Sequence, residues 1–154
     1  GTNIGNRKLN IKNAITALGQ IGKIITISPI YTSEPWGFES KNGFYNIALI
    51  LESNLPPIEL LNATQQIERN LGRTTKTTTT YTDRIIDIDI IDYNNQIIDT
   101  QALTLPHKLM HKRNFVLYPL SDIAPDWQHP ILKLSSTELK KISEDTSVIH
   151  ILPQ

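Results

Sequence analysis

The chain has 154 residues, in which fifteen basic side chains balance fifteen acidic ones, and it contains no Cys. This length predicts a single domain, 1–154, with one substantial core. The neutral balance gives no general attraction to nucleic acid or to an anionic membrane. Without Cys, disulfides and thiolate metal sites are excluded, and no apolar run approaches the ~20 residues needed to span a bilayer. Composition therefore indicates an ordinary globular protein and is compatible with a reducing cytoplasm.

The first half of the chain alternates between helical and extended patterns. Its first segment repeats apolar residues at helical spacing. Of the two strand candidates, the first is rich in Ile and β-branched Thr, and the second alternates or runs apolar. A second helix opens at Pro56 and Pro57, because Pro is tolerated in a first turn, and Gly72 ends it. We expect the first helix over about 6–21, strands over 24–31 and 44–52, and a loop over 33–37.

The second half is centred on residues 85–92, whose Ile-rich pattern is the strongest strand signal in the chain. The Thr-rich residues 74–82 predict a polar loop, although β-branched Thr also suits a strand. The other expected elements are a turn at Asn94 and Asn95 into a strand over 96–99, a loop-rich stretch over 100–114, an apolar segment over 115–120, a helix capped by Ser135 or Ser136 that ends about residue 143, and a closing strand over 148–152. This mixture predicts an α+β fold with a sheet covered by helices.

Two aspartates, Asp87 and Asp89, stand two residues apart in the Ile-rich strand pattern. Strand side chains alternate between faces, so both carboxylates point the same way, about 6 to 7 Å apart, with Ile86, Ile88 and Ile90 on the other face. Neighbouring carboxylates repel, and a divalent cation relieves that repulsion. Mg²⁺ prefers one or two carboxylates together with phosphate oxygens and water. The spacing alone also fits an amphipathic strand whose polar face is solvated.

Basic residues offer two places to hold phosphate. The first is a cluster that follows Pro106 and consists of His107, Lys108, His111, Lys112 and Arg113. Such a cluster suits a triphosphate, because Arg can bind phosphate oxygens in a bidentate manner. The second is the pair Arg73 and Lys76, which flanks the Thr-rich loop and is placed to close over phosphates as a lid. Each group equally fits a solvated surface loop.

Two further groups of side chains are candidates for ligand contacts. Gln65 and Glu68 lie three residues apart on one face of the second helix, where they can meet a ligand together or form an ordinary surface pair. Three aromatic residues, Trp36, Phe44 and Phe115, are candidates for a pocket that binds a flat ring, with Asn46 as a two-way hydrogen-bonding group. Aromatic residues are more often part of a core. His129 and His150 show no partner pattern and receive no role.

In their order and spacing, these pieces resemble the 6-hydroxymethyl-7,8-dihydropterin pyrophosphokinase family of folate biosynthesis. The resemblance runs from Gly1 to about Pro130. The pieces that carry it are the turn at 1–5, the loop at 31–37, the aromatic-x-Asn at 44–46, Gln65 with Glu68, Gly72 with Arg73, the signature at 84–90, residues 106 and 107, and Arg113 with Phe115. The resemblance implies a three-layer α+β arrangement with a ferredoxin-like, mainly antiparallel sheet. It also implies ATP as co-substrate and two Mg²⁺ ions.

The resemblance also implies a role for individual residues. Asp87 and Asp89 would bind both metal ions, and the catalytic set would be Arg84, Asp87, Asp89, His107 and Arg113. The nucleotide would be held by Gln65, Glu68, Arg73, Ile90, Thr104, His107 and Arg113. The pterin would be held by Ser33, Glu34, Trp36, Phe44, Asn46, Tyr81, Asp87 and Phe115. The pterin hydroxymethyl oxygen would attack the β-phosphorus of ATP, and AMP would leave without a covalent enzyme intermediate.

Four departures from the family pattern stand out. Tyr81 replaces a Trp that many members have, Thr75 replaces a loop Arg with Lys76 beside it, and Ala102 replaces another phosphate-side Arg. We expect retained activity with altered loop dynamics and weaker nucleotide binding. The family also has a strand immediately before the turn at 1–5. Because the sequence begins at Gly1 without Met or a signal-peptide pattern, we expect that strand to precede it in the native protein.

Two other functions remain open at this point. One is a non-catalytic ferredoxin-like domain that binds RNA or a protein partner, although the neutral charge and the lack of a basic-aromatic strand pattern count against RNA. The other is a degenerate family member that binds pterin or ATP without turnover, suggested by Thr75 and Ala102. We expect a cytoplasmic monomer with small-molecule substrates, no nucleic acid and no membrane.

Overall fold

The computed structural model describes residues 1–33, 43–72 and 84–154. Within these ranges the chain forms four α-helices, seven short strands and one 3-10 turn at Met110–Lys112. In chain order they are α1 (Arg7–Ile21), β1 (Lys23–Ile27), β2 (Tyr31–Ser33), β3 (Phe44–Asn46), β4 (Leu49–Glu52), α2 (Pro57–Asn70), β5 (Ile98–Asp99), β6 (Thr104–Leu105), α3 (Asn114–Ile123), α4 (Ser136–Ile142) and β7 (His150–Ile151).

The strands of the described residues pair in small antiparallel sheets. β1 pairs with β4, β5 pairs with β6, and β2 lies between β3 and β7. Helices and antiparallel strands together confirm the predicted α+β class. The ferredoxin-like order of the sheet stays a prediction.

The helices begin and end where local chemistry predicts. At the start of α1, the Asn6 side chain accepts a hydrogen bond from the Leu9 N–H at 3.1 Å. After α2, Gly72 has a φ of +109°, a backbone conformation that glycine adopts at low cost. At α4, Ser135 and Glu138 form a reciprocal capping box. The predictions for 6–21, for the helix from Pro56 and Pro57 to Gly72 and for the last helix are therefore confirmed.

The two long strands predicted in the first half are each broken in two. Residues 24–31 are interrupted before Pro29, which has no N–H to donate to a ladder. Across the break, the Ser28 N–H donates to the Ala48 carbonyl at 2.9 Å, and the Ser28 Oγ accepts from the Ala48 N–H at 3.0 Å. The chain therefore bends at Ser28 and Ala48 while the two halves of the hairpin stay joined.

The strand predicted over 85–92 is wrong as a regular element, because none is formed there in the described residues. Part of its backbone hydrogen bonding goes to the first residues of the chain, to a Glu68 carboxylate and to the main chain at His107. Other strand lengths were overestimated: 96–99 shortens to β5, and 148–152 shortens to β7. The turn at Asn94 and Asn95 is confirmed, with φ values of 49° and 58°. The apolar residues 115–120 belong to α3.

The best-packed part of the core lies between the 3-10 turn, α3 and α4. Met110 and Leu117 are fully buried there, with Val116 and Leu139 beside them. Phe115 and Trp127 pack against this cluster from its edge. Phe115, a candidate site residue, therefore rests directly on the core.

None of the helices in the described residues combines the length and apolar character that a membrane span requires.

Candidate active site

The first three residues of the chain lie between β3 and the segment that carries the aspartates. Thr2 and Tyr45 exchange both backbone hydrogen bonds, at 3.0 and 2.8 Å. On the other side, Gly1 exchanges both with Asp87, since its nitrogen donates to the Asp87 carbonyl at 2.7 Å and its carbonyl accepts from the Asp87 N–H at 2.8 Å. The Asn3 Oδ1 accepts from the Arg84 N–H at 2.7 Å. These contacts bring the predicted pterin side and the predicted metal side together.

The aspartate segment is fixed from α2 by a buried acid. Glu68 is 2% exposed, and its Oε2 accepts a hydrogen bond at 3.0 Å from the Ile88 N–H, between the two aspartates. Glu68 is therefore part of the support of the aspartates and not a surface residue. Gln65 lies one turn earlier on α2 and is half-buried.

The two aspartates differ in their surroundings. The Asp87 Oδ2 accepts from the Arg84 Nη1 at 2.9 Å, in an ion pair whose side chains are 12% exposed for Arg84 and 16% for Asp87. Asp89 is exposed. The carboxylate of Asp87 is thus held in place by a cation, whereas Asp89 is exposed to solvent.

The two aspartates form a donor set that fits Mg²⁺. Two carboxylates two residues apart, one of them exposed, offer the hard oxygen ligands that this ion prefers and leave its other positions to phosphate oxygens and water. In the part of the chain that the structure describes, no group of three or more His, Cys, Asp and Glu side chains forms a metal site made by protein alone. The aspartates fit Mg²⁺ that arrives with a phosphate ligand.

On the pterin side, three predicted residues lie together. The Asn46 Nδ2 donates to the Ser33 Oγ at 2.9 Å, and both residues are 6% exposed. Gly1 is packed so closely against them that a Cβ at this position would lie 2.3 Å from the Asn46 Oδ1 and 3.4 Å from the Phe44 Cδ1. The Arg84 guanidinium lies 5.9 Å from the centre of the Phe44 ring. Arg84 therefore spans the pterin side and Asp87.

On the phosphate side, His107 and Arg113 sit at the two ends of the predicted basic cluster. The His107 N–H donates to the Ile91 carbonyl at 2.9 Å, which ties this residue to the aspartate segment. Its Nδ1 accepts from the Leu109 N–H at 3.3 Å, so the neutral ring carries its proton on Nε2. Arg113 is 4% exposed, and its guanidinium lies 5.5 Å from the centre of the Phe115 ring.

Two other predicted residues lie in the described part of the chain, near the aspartates and His107 in sequence. Ile90 follows Asp89 and is half-buried, and Thr104 lies in β6, three residues before His107. Four predicted residues, Glu34, Trp36, Arg73 and Tyr81, lie outside the described residues. The same is true of Thr75 and Lys76.

The basic cluster is divided by the fold. Lys108 and Lys112 are exposed, whereas His111 packs edge-on against His129 with ring centres 6.0 Å apart. Burial, and then the charge of Lys112, lowers the pKa of His111. For His129, burial and then His111 lower the pKa, while Asp92 opposes them. His111 is therefore half-buried against His129, and its lowered pKa disfavours the charged form.

Sequence reasoning missed several residues that build the site. Gly1 and Asn3 were recognised only as part of a turn, although Asn is a residue that accepts backbone hydrogen bonds in turns. His129, which received no role, is 4% exposed, and its Nδ1 accepts from the N–H groups of Ile131 and Leu132. Asp145 contacts Asn114 across 31 residues, and no local pattern could have indicated that.

Known proteins share much of this sequence. Residues 1–125 match the family described as 7,8-dihydro-6-hydroxymethylpterin-pyrophosphokinase (HPPK). A 2-amino-4-hydroxy-6-hydroxymethyldihydropteridine pyrophosphokinase from Porphyromonas gingivalis is 44% identical over 133 residues, which cover 84% of this chain and 90% of that protein. One of the same name from Aquifex aeolicus is 39% identical over 140 residues, which cover 91% and 86%.

In a longer relative, a similar sequence is part of a larger protein. The folic acid synthesis protein FOL1 of Dictyostelium discoideum is 40% identical over 153 residues, which cover 99% of this chain but only 23% of that protein. This chain therefore spans about a quarter of FOL1 and most of the bacterial proteins. With the match over residues 1–125 and these identities, the chain belongs to the 7,8-dihydro-6-hydroxymethylpterin pyrophosphokinase family.

Proposed function

We propose that the chain transfers pyrophosphate from ATP to the hydroxymethyl group of 6-hydroxymethyl-7,8-dihydropterin and releases AMP, as an ATP-dependent step of folate biosynthesis. The observation that carries the proposal is that Gly1 joins the two sides of the site. Gly1 packs against Asn46, which pairs with Ser33, and exchanges backbone hydrogen bonds with Asp87. A pterin bound at Asn46 would thus present its hydroxymethyl group next to the aspartates.

The pterin side offers both polar and apolar contacts. Because its Nδ2 donates to Ser33, the Asn46 amide has a fixed orientation, and a buried amide of fixed orientation can pair with the polar edge of a pterin. The Phe44 ring provides a flat apolar surface beside it. Phe115, supported by the core, is proposed to cover the pterin from the other side, together with Trp36, Glu34 and Tyr81.

The phosphate side offers positive charge around the two aspartates. We assign two Mg²⁺ ions to Asp87 and Asp89. When bound, these ions would supply positive charge that offsets the negative charge developing on the transferred phosphates. Arg84 keeps the Asp87 carboxylate in place at 2.9 Å and adds its own charge to the same region. Gln65, Glu68, Ile90, Thr104 and Arg73 are proposed to complete the nucleotide site.

Catalysis in this proposal is positioning combined with electrostatic stabilisation. Arg113 and His107 act as hydrogen-bond donors to the transferred phosphates, and Nε2 is the nitrogen through which His107 donates. The pterin oxygen attacks the β-phosphorus in line, AMP leaves, and no covalent intermediate forms on the chain. A degenerate binder without turnover is not favoured, because both aspartates and both donors are retained and the segments that carry them are hydrogen-bonded to the rest of the site. The single domain, the monomeric state and the cytoplasmic location stay predictions.

The test is AMP release from ATP, with and without 6-hydroxymethyl-7,8-dihydropterin, in Mg²⁺ and then in EDTA. The proposal requires AMP only when pterin and metal are present together. A folded sample that forms no AMP under any of these conditions would reject turnover and leave the degenerate binder. AMP formed at the same rate without pterin would instead indicate hydrolysis of ATP.

A further inference from the structure

A carboxylate from near the end of the chain reaches the start of α3. The Asp145 Oδ2 accepts a hydrogen bond from the Asn114 N–H at 2.8 Å, and the Asp145 carbonyl accepts from the Asn114 Nδ2 at 2.9 Å. Asn114 is 5% exposed. Two hydrogen bonds therefore hold this one residue from a segment that lies 31 positions away.

The first turn of α3 has no cap of its own that would make this contact redundant. Its N-cap residue, Arg113, provides no side-chain hydrogen bond to the helix. The first N–H groups of a helix lack partners inside it, and a carboxylate there is favoured by both hydrogen bonding and the helix dipole. Asp145 thus supplies from a distance what a local Ser or Asp usually supplies.

The capped turn carries two residues of the proposed site, one on each side of Asn114. Arg113 precedes it, and the Arg113 carbonyl accepts from the N–H groups of Val116 and Leu117 at 3.0 Å each. Phe115 follows it, with its ring 5.5 Å from the Arg113 guanidinium. Because the two side chains project from one short turn, a movement of that turn shifts both together.

Asp145 makes further hydrogen bonds within its own segment, which runs between α4 and β7. Its Oδ1 accepts from the Ser147 N–H at 2.9 Å and from the Ser147 hydroxyl, and its own N–H donates to the Ser143 Oγ at 3.2 Å. A few residues further on, β7 pairs with β2, where Thr32 faces His150 next to Ser33. The carboxylate is therefore oriented by local hydrogen bonds, and its segment is tied to the sheet at β7.

We propose that Asp145 is a positioning residue that sets Arg113 and Phe115 in place for phosphate and pterin by capping α3. The inference rests on the proposed function, since it concerns the same site. Asp145 lies beyond residues 1–125, the part of the chain that matches the family, so the contact adds to the site a residue from outside that part.

The experiment compares the full chain with Asp145→Ala and, as a milder change, Asp145→Ser. In the serine variant the oxygen lies one bond nearer the main chain, so the hydrogen bond to the Asn114 N–H is weakened while a hydroxyl remains for Ser147. The matched control is Ser135→Ala, which removes the side-chain cap of α4 and leaves α3 unchanged. For each folded variant, ATP binding with Mg²⁺ is measured by calorimetry without pterin, and KM for pterin is measured by AMP release.

We expect Asp145→Ala to weaken ATP binding and to raise KM for pterin, each by about tenfold, since small displacements of binding groups cost that much or more. Asp145→Ser should give a smaller change in the same direction, and Ser135→Ala should lower the melting temperature without changing either constant. Wild-type constants in the folded Asp145 variants would overturn the proposal. Failure of the wild-type chain to form AMP would instead overturn the proposed function.

A double-mutant cycle tests whether Asp145 acts through Arg113. If it does, adding Asp145→Ala to Arg113→Ala weakens ATP binding by much less than Asp145→Ala alone, because the side chain to be positioned is already gone. Fully additive losses would show that Asp145 stabilises the protein without positioning Arg113, and this too would overturn the proposal.

Discussion

Replacement of Glu68 tests how the aspartates are held. Its Oε2 accepts the Ile88 N–H at 3.0 Å, and the residue is 2% exposed. A hydrogen bond to a charged group contributes about 1.5–3 kcal/mol, and a buried donor left without its partner costs about 1–3 kcal/mol. We therefore expect Glu68→Ala to lower the free energy of unfolding by about 3 kcal/mol. Glu68→Gln keeps an oxygen that can accept from Ile88, so we expect it to cost about 1 kcal/mol.

The same change should weaken the metal site. Ile88 lies between Asp87 and Asp89, so release of its N–H allows both carboxylates to move, and displacements of this kind cost about a hundredfold in rate. Urea unfolding and AMP release over a range of Mg²⁺ concentrations measure both effects, with the exposed Glu59→Ala on the same helix as the control. Glu68→Ala with wild-type stability and wild-type Mg²⁺ dependence would refute the role of this hydrogen bond.

Three further predictions concern the pterin pocket, pH and helix capping. Asn46→Ala removes the amide that pairs with Ser33, so it should raise the dissociation constant for pterin by about tenfold or more. ATP binding should be unchanged. Equal losses of affinity for both ligands in titrations would contradict the placement of Asn46 on the pterin side. The pKa of His129 is lowered from 6.5 in the folded protein, so the unfolded chain binds more protons in this pH range. The free energy of unfolding, measured with urea, should therefore fall as the pH drops from about 6.5 towards the folded pKa. In His129→Asn the Asn Oδ1 can replace the His Nδ1 as an acceptor, so the free energy of unfolding should depend less on pH. An unchanged slope in this variant would show that His129 is not the source of the pH dependence. Ser135→Ala should cost about 1 kcal/mol in the same measurement, since it removes a capping box, and a wild-type midpoint would show that the cap is not needed.

Local chemistry was enough to predict three of the four helices in the described residues, whereas α3 was expected only as an apolar segment over 115–120. The signals that predict these helices each involve residues close together in the sequence. They are the periodic apolar residues of α1, the Pro in the first turn of α2, and the Ser three residues before a Glu at the start of α4. The strands were harder. A bend at Ser28 and Pro29 depends on a partner strand, and residues 85–92 find hydrogen-bond partners in Gly1 and Glu68, which lie far away in the sequence.

The sequence identifies candidate site residues, but it predicts only part of their arrangement in space. Asp87, Asp89, Asn46 and Ser33 are identified from motif order. In the structure Asp87 and Asn46 both contact Gly1, and Ser33 is hydrogen-bonded to Asn46. The support of these residues could not be predicted, because it depends on contacts between distant segments. The pattern of Glu68 on its helix gives no sign that the residue is buried, and no motif connects Asp145 with Asn114.

Product analysis tests the central claim most directly. The wild-type chain is incubated with ATP, Mg²⁺ and 6-hydroxymethyl-7,8-dihydropterin, and AMP, ADP, phosphate and pterin diphosphate are quantified. The same reaction is run with Asp89→Ala and, as a control, with Asp126→Ala, which changes another exposed aspartate. We expect AMP and pterin diphosphate in equal amounts for wild type and Asp126→Ala, and a rate lower by at least about a hundredfold for Asp89→Ala. ADP or free phosphate as the main product, or an unchanged rate in Asp89→Ala, would contradict this expectation.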